Sequence, residues 1–190
     1  MEFFDLVKAN RSYRRFFEAE TITRETLLTL VDYARLVPSG ANKQALKYYI
    51  AWEKDQNAQI FATIGWAGYL KDWQGPVPGE RPAAYIVLVQ DKNYKMATSF
   101  DAGIAAQTIL LGATQLGLGG CIIGNVQREI LQTALPLADT MEIVLVIALG
   151  KPKETVVLEE IEKVRDIKYW RDTQQIHHVP KRPLKDIVLD

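Results

Sequence analysis

Residues 99–124, SFDAGIAAQTILLGATQLGLGGCIIG, hold the longest helical pattern in the chain and the glycine-rich turn that follows it. Between Ser99 and Leu116, small residues and large aliphatic residues recur at helical spacing, so the predicted helix is apolar nearly all round. Such a helix is buried in a core or at a subunit interface. Its small residues would allow another backbone to approach closely. This stretch therefore predicts a helix at the centre of the fold.

The turn from Gly117 to Gly124 resembles a dinucleotide-binding fingerprint only superficially. The third glycine of G-x-G-x-x-G would fall on Ile122, and a helix precedes the turn where that motif needs a strand. Two interpretations remain. The glycines let backbone N–H groups approach a planar ligand, or the helix simply ends and a strand follows.

Three β-rich runs surround this helix in the sequence, at residues 48–52, 83–89 and 142–149. They combine with four or more helical segments that do not alternate strictly with them. This order predicts an α+β fold with a central, mostly antiparallel sheet flanked by helices. Residues 68–82 are rich in proline and glycine, which favours a lid or binding loop.

The tail from Lys151 to Asp190 is charged, with scattered apolar residues. It is too long for a trailing end and finishes on a β-like run, Ile187-Val188-Leu189. We expect a single domain, with a core at residues 1–150 and an arm at residues 151–190. The arm is predicted to wrap a second copy of the chain and to add a strand at a sheet edge.

Composition excludes several classes of protein. The 23 Lys and Arg residues balance the 23 Asp and Glu residues, which argues against binding nucleic acid or a membrane surface through bulk charge. Polar residues interrupt the most apolar region, so a membrane span is not expected. Cys121 is the single cysteine, which excludes an intramolecular disulfide and favours a reducing, cytoplasmic location.

Two polar segments could bind a ligand. Arg11 to Arg15 presents three guanidinium groups and a serine hydroxyl, which match the donors that a phosphate group requires. Pro38 to Gln44 offers the amides of Asn42 and Gln44, which suit the mixed edge of a heterocycle. Taken alone, each segment has a simpler interpretation, as a solvated helix end and as a helix-terminating turn.

Other candidates carry little chemistry. Cys121 lies among apolar neighbours and is interpreted as a small buried hydrophobe. His177 and His178 are adjacent without further ligands at metal-binding spacing, so no metal site is predicted. No hydrolase, metalloprotease or nucleotide-triphosphate motif is present.

The order of these elements resembles the nitroreductase family of FMN proteins, nearly from end to end. The matching motifs are RSYRRF at residues 11–16, PSGANKQ at 38–44, DAGIAAQ at 101–107 leading to GLG at 117–119, IIG at 122–124 and LGKP at 149–152. One departure is Ala45 after Gln44, where the family often has proline. A second is Lys151 between Gly150 and Pro152, where a tyrosine is common.

The resemblance implies a homodimer with exchanged carboxyl-terminal arms and one FMN site built by two chains. The residues that it assigns to FMN are Arg11, Ser12, Arg14, Ile123, Gly124, Lys181 and Arg182, with Pro38, Ser39, Asn42 and Gln44 contributed by the opposite subunit. Lys163 and Arg165 rival the pair Lys181 and Arg182 as phosphate contacts. Trp66, Tyr69 and Trp73 are expected to form an aromatic floor or lid.

The activity implied is an oxidoreductase that passes hydride or electrons from NADH or NADPH to a small-molecule acceptor, such as a nitroaromatic or a quinone. One shared site implies ping-pong kinetics. No catalytic side chain is expected, because the flavin carries the chemistry. The alternative is a protein that binds or delivers flavin without turnover of its own. A dehalogenating or flavin-consuming enzyme on the same fold is a third possibility.

Overall fold

A computed structural model describes residues 1–93, 99–161 and 167–189 of the chain. Its centre is a four-stranded sheet made of β1 (Leu46–Ala51), β2 (Ala84–Asp91), β3 (Gly119–Ile123) and β4 (Met141–Gly150). The strand order is β1-β2-β4-β3, and each neighbouring pair is antiparallel. The predicted antiparallel α+β architecture is confirmed.

Within these described ranges the chain also forms five α-helices. They are α1 (Phe3–Ala9), α2 (Arg24–Arg35), α3 (Lys54–Phe61), α4 (Ser99–Gln115) and α5 (Arg128–Ala134). The hydroxyl of Thr23 accepts a hydrogen bond of 3.2 Å from the backbone N–H of Thr26, as expected of a helix cap. The observed α4 matches the helix predicted from the opening stretch to within one residue.

The sheet buries both of its faces. One face packs against α2 and α4 around Ile86, Ile109 and Leu149, and the other packs against α3 and α5 around Tyr85, Leu131 and Val146. Strand β2 is buried from Ala84 to Val89, which explains its unbroken apolar sequence. Both faces are covered because helices lie on each side.

The glycine-rich turn leads directly from α4 into strand β3, as the second interpretation of this turn predicts. Three strands were predicted for the sheet and this fourth one was not counted, because two glycines begin it. Those glycines are needed where they are: a Cβ on Gly120 would lie 2.5 Å from the carbonyl oxygen of Ala148, and one on Gly119 would lie 2.5 Å from the ring of Tyr13. Close backbone approach therefore decides the residue type here.

The tail contains a second sheet that the sequence pattern did not reveal. Strands β5 (Val156–Glu160), β6 (Trp170–Arg171) and β7 (His177–Lys181) pair in the order β5-β7-β6, with β5 and β7 parallel. The final apolar residues, expected to be a strand, instead follow the short 3₁₀ helix Leu184–Asp186 and stay exposed. Within the described part of the chain, no strand pairs with them. Whether they pair with a second subunit stays a prediction.

None of the helices in the described ranges is long and apolar enough to cross a membrane.

Substituting Gly120 by alanine should destabilise the protein by about 1–3 kcal/mol, since the new methyl group would overlap a main-chain oxygen that cannot move freely. Urea denaturation measures the change in the free energy of unfolding. Gly68→Ala is the matched control, because no atom lies within 4 Å of its Cβ position. Equal effects of the two substitutions would contradict the close packing of β3.

Candidate active site

The segment Arg11 to Phe16 runs in extended form between two other parts of the chain. Ser12 forms a parallel bridge with Gly120 on β3, and the Tyr13 N–H donates a 3.0 Å hydrogen bond to the Gly120 carbonyl. On the other side, Phe16 forms an antiparallel bridge with Pro152. The segment is therefore fixed at the edge of the main sheet. It carries the arginine-rich motif that is predicted to bind a phosphate.

A buried carboxylate secures this segment. One oxygen of Glu154 accepts hydrogen bonds from the backbone N–H groups of Arg14 and Arg15, and the other accepts one of 3.0 Å from the guanidinium of Arg171. The Glu154 side chain is fully buried. A buried carboxylate needs such donors, because its charge would otherwise be costly to remove from water.

The side chain of Arg14 is held by the tail of its own chain. Its Nη1 lies 3.2 Å from Nε2 of His177, and its guanidinium lies 4.8 Å from the ring centre of Tyr169. Because a guanidinium can only donate, Nε2 of His177 accepts and the imidazole is neutral. Burial, then the charges of Arg14 and Arg171, lower the pKa of His177 to about 4.

Arg11 supplies the observation that bears most directly on an anionic ligand. Its Nη2 donates a 2.7 Å hydrogen bond to the Val7 carbonyl, while its buried Nε has no partner among the described residues. Burial lowers the pKa of Arg11, but a guanidinium stays charged near neutral pH. A buried, unpaired cationic donor beside the exposed Ser12 fits a phosphate group.

The thiol of Cys121 does not belong to this chemistry. It lies in the core beneath Ser12 and Arg14, and burial raises its pKa. The thiolate form is therefore disfavoured, which agrees with its interpretation as a small buried hydrophobe.

The loop that begins at Pro38 is strained and rigid. Ala41, Asn42 and Gln44 all have positive φ angles, of 51°, 52° and 48°. The Ser39 hydroxyl accepts a 3.2 Å hydrogen bond from the Gln44 N–H, which closes the loop. Asn42 and Gln44 remain exposed at its tip, and the side-chain amide of Gln44 donates a 3.3 Å hydrogen bond to the Asn42 carbonyl.

At the end of β3, Gly124 is exposed and a Cβ there would meet no atom within 4 Å. A planar ring could approach it closely. Ile123 is different, because its side chain is buried in the core next to α3 and α5, whereas Ile122 beside it is exposed. A contact from Ile123 to a flavin would use its backbone.

Lys181 and Arg182 are exposed and make no ion pair with any described residue of this chain. Lys181 follows His177 by four residues on β7, which places it about 13 Å farther along the strand. Lys163 and Arg165 lie outside the described residues. Phosphate binding by either pair stays a prediction.

Aromatic residues of the 65–82 loop pack with the tail above Arg14. Tyr69 and Tyr169 have ring centres 4.9 Å apart, and the guanidinium of Arg171 lies 4.7 Å from the ring of Trp73. Trp66 contacts Trp73 with ring centres 6.4 Å apart. The three aromatic residues expected in a lid therefore lie in one cluster that the tail completes.

An ion pair ties the same loop to the arginine segment. Two nitrogens of Arg15 lie 2.6 and 2.7 Å from the carboxylate of Glu80, and Lys153 approaches it at 3.0 Å. The hydrogen bond from Arg15, followed by that from Lys153, lowers the pKa of Glu80 to about 2. The loop is thus anchored at its carboxyl-terminal end.

Comparisons with known proteins identify this arrangement. The model of the Nitroreductase family matches residues 7–151, which is well over half of the chain. The chain belongs to the nitroreductase family. No curated protein matches it.

Solved structures agree with this membership. A nitroreductase family protein from Clostridium novyi is 26% identical, with a TM-score of 0.66 over 80% of this chain and 88% of its own. An FMN-dependent nitroreductase from Clostridium difficile is 22% identical, with a TM-score of 0.64 over 80% and 88%. A protein of Desulfovibrio desulfuricans, described as a nitroreductase in complex with FMN, is 21% identical, with a TM-score of 0.69 over 98% and 95%.

Sequence reasoning missed four residues at the candidate site: Glu154, Tyr169, Arg171 and His177. His177 was considered from the sequence only as a candidate metal ligand. Because no further ligands accompany it, a buried structural role was the remaining interpretation. Glu154 is a lone acid shortly after the LGKP motif. The contacts of Glu154, Tyr169 and His177 with Arg14 span 140 residues or more, and no local pattern encodes such pairing.

The stability of this protein should fall as the pH drops from about 6.5 to about 4. The unfolded chain protonates His177 near pH 6.5, whereas the folded protein keeps it neutral down to a pKa of about 4. The contribution lost at pH 4 is about 2–3 kcal/mol. When the free energy of unfolding is measured by urea denaturation and plotted against pH over this range, the curve for His177→Phe should be flatter than that for the wild type.

His178→Phe is the matched control. Burial alone would lower the pKa of His178, but hydrogen bonds to Glu159 and Asp172 raise it above its usual value. Protonated His178 therefore stabilises the folded protein at lower pH. The control should keep the acid-induced loss. A wild-type slope in the His177 variant would show that another group causes the loss.

Proposed function

We propose that this chain is a homodimeric, FMN-dependent oxidoreductase that passes hydride from NADH or NADPH to a nitroaromatic, quinone or similar acceptor by a ping-pong mechanism. The observation that supports it best is the buried, unpaired Nε–H of Arg11 beside Ser12, at the edge of β3. Family membership supports the same conclusion, as do the relatives whose names include FMN.

Each predicted site residue has a role in this proposal. Arg11 and Ser12 would bind the phosphate and ribityl groups, with Lys181 and Arg182 as further cations. Gly124 would offer its N–H at the central ring, with Ile123 beside it. The last contacts would come from Pro38, Ser39, Asn42 and Gln44 of the partner subunit. When bound, FMN supplies the hydride-accepting and hydride-donating ring.

Arg14 would act through its charge. A guanidinium near the pyrimidine edge of the ring stabilises negative charge there, which favours the reduced state. His177 and Tyr169 restrict its side chain to one orientation. A preorganised cation of this kind stabilises charge without rearranging during the reaction.

The remaining residues would shape and dry the site. The cluster of Trp66, Tyr69, Trp73 and Tyr169 offers an aromatic wall for a nicotinamide or a planar acceptor. No side-chain acid or base is required in this scheme, since hydride moves between two ring systems. The buried free thiol of Cys121 supports a reducing, cytoplasmic location.

Exposed apolar residues support the dimer. Phe3 and Phe4 on α1 and Phe100 and Ile104 on α4 are 71, 68, 75 and 42% exposed, and the two helices pack side by side. Surfaces of this kind mark protein interfaces in soluble proteins. In the tail, Leu184, Ile187 and Leu189 are exposed as well, which supports an arm at residues 151–190 that reaches over the partner from a core at residues 1–150.

Purified protein should be yellow and should oxidise NADH or NADPH when menadione or nitrofurazone is present. Arg14→Ala should weaken FMN binding about 10- to 100-fold and slow its reduction, because a charged hydrogen-bond donor is lost. Equilibrium dialysis and anaerobic stopped-flow spectroscopy measure the two effects. Arg24→Ala, at an exposed position on α2, is the control and should behave as the wild type.

The outcomes separate the competing functions. Tight FMN binding without oxidation of either nicotinamide would favour a flavin-binding or flavin-delivering protein. Folded, dimeric protein that takes up no FMN would refute the proposal altogether.

Ile104→Glu should convert the dimer into a monomer, since a carboxylate would be buried in the interface built by α1 and α4. The dissociation constant of the dimer should rise about a hundredfold or more, measured by sedimentation velocity. Ile130→Glu, at an exposed isoleucine on α5, is the control and should remain dimeric. If both variants sediment as the wild type, α4 is not at the interface.

A further inference from the structure

A cleft of about 630 Å³ lies between α3, the start of β2 and the segments 18–21 and 78–82. None of the residues assigned to the flavin lines it. Its apolar walls are Trp52, Ala58, Phe61, Pro78, Pro82 and Ala83. A volume of this size is typical of sites that bind small organic molecules.

Tyr85 lines this cleft and carries a buried hydroxyl. The Tyr85 residue is 1% exposed, and its hydroxyl has no hydrogen-bond partner among the described residues. Burial raises the pKa of Tyr85, so the phenol remains protonated and able to donate. A buried hydroxyl is nearly always paired in a folded protein, so this one is available to donate to a ligand in the cleft.

Two further polar atoms in the cleft are unpaired in the same way. The buried Nε–H of Arg81 has no acceptor among the described residues, and its guanidinium lies 4.3 Å from the ring centre of Phe61. Asn57 donates from Nδ2 to the Ala83 carbonyl at 2.8 Å, which fixes its orientation and leaves the buried Oδ1 without a partner. The cleft thus offers two donors and one acceptor.

Charge selects between possible ligands. Arg81 and Lys54 bring two cations to the cleft, and the one acid lining it, Glu18, already accepts from the backbone N–H groups of Gly79 and Arg81. A carboxylate would satisfy both Arg81 and Tyr85. A hydroxyl or amino group elsewhere on the ligand would donate to Asn57, and an aromatic ring would fill the apolar walls.

We propose that this cleft binds a one- or two-ring aromatic carboxylate that carries a hydroxyl or amino substituent. The site is separate from the flavin site. Cys121, which lies beneath Ser12 and Arg14, marks the position of the predicted flavin site on β3. Tyr85 and Cys121 both pair with Ala148 on β4, from opposite sides, so their backbones are about 10 Å apart. Binding here does not depend on the function proposed above.

The test uses 6-hydroxy-2-naphthoate as the probe, titrated by isothermal calorimetry into the full-length protein after incubation with FMN. The wild type should bind one probe per chain. Tyr85→Phe removes only the hydroxyl and should weaken binding tenfold or more, whereas Tyr33→Phe, on α2 outside the cleft, should not change it. The probe 2-naphthoate, which lacks a donor for Asn57, should bind the wild type more weakly.

The melting temperature shows whether the Tyr85 hydroxyl has a purely structural role. Without probe, Tyr85→Phe should melt no lower than the wild type, because it removes a polar group that is buried without a partner. Absence of probe binding would overturn the proposal, as would equal binding to the wild type and to Tyr85→Phe. Protein that takes up no FMN but shows the expected titration would refute the flavin function and leave this site intact.

Discussion

The buried carboxylate of Glu154 joins the two ends of this molecule. It accepts hydrogen bonds from the backbone of the arginine segment and from Arg171 in the tail, so neither can move without leaving a charge unsatisfied. It secures the backbone of Arg14 and Arg15 and, through Arg171, strand β6 of the tail. The main sheet provides the edge, and this carboxylate holds the candidate site against that edge.

The sequence allowed prediction of the elements whose patterns are local. Strand β2 has an unbroken apolar run and α4 has helical periodicity, so each was found close to its observed bounds. The sheet of the tail was missed because its sequence lacks apolar alternation, and β3 was only one of two interpretations of the glycine-rich turn. Their residue types depend on contacts with distant segments: Gly120 meets the backbone of Ala148, and His177 meets Arg14.

The loop between α3 and β2 contributes residues both to the candidate flavin site and to the cleft around Tyr85. Glu80 pairs with Arg15 beside the predicted flavin contacts, while the next residue, Arg81, lines the cleft around Tyr85. The motif comparison identified the polar residues of the candidate flavin site, because they belong to a family pattern. The cleft has no such pattern, since the hydroxyl of Tyr85 and the Nε of Arg81 are seen to lack partners among the described residues only in the folded chain.

The pairing of the first residues with the last affects how the protein is made. Arg14 hydrogen bonds with Glu154 and lies beside His177, 140 and 163 positions later in the chain. At translation rates of about 5–20 residues per second, the amino-terminal segment leaves the ribosome roughly ten seconds or more before its partners exist. Contacts of such long sequence separation also slow folding. Residues 154–177 must therefore be synthesised before the contacts of Arg14 can form, so the candidate site is completed only late in synthesis or after it.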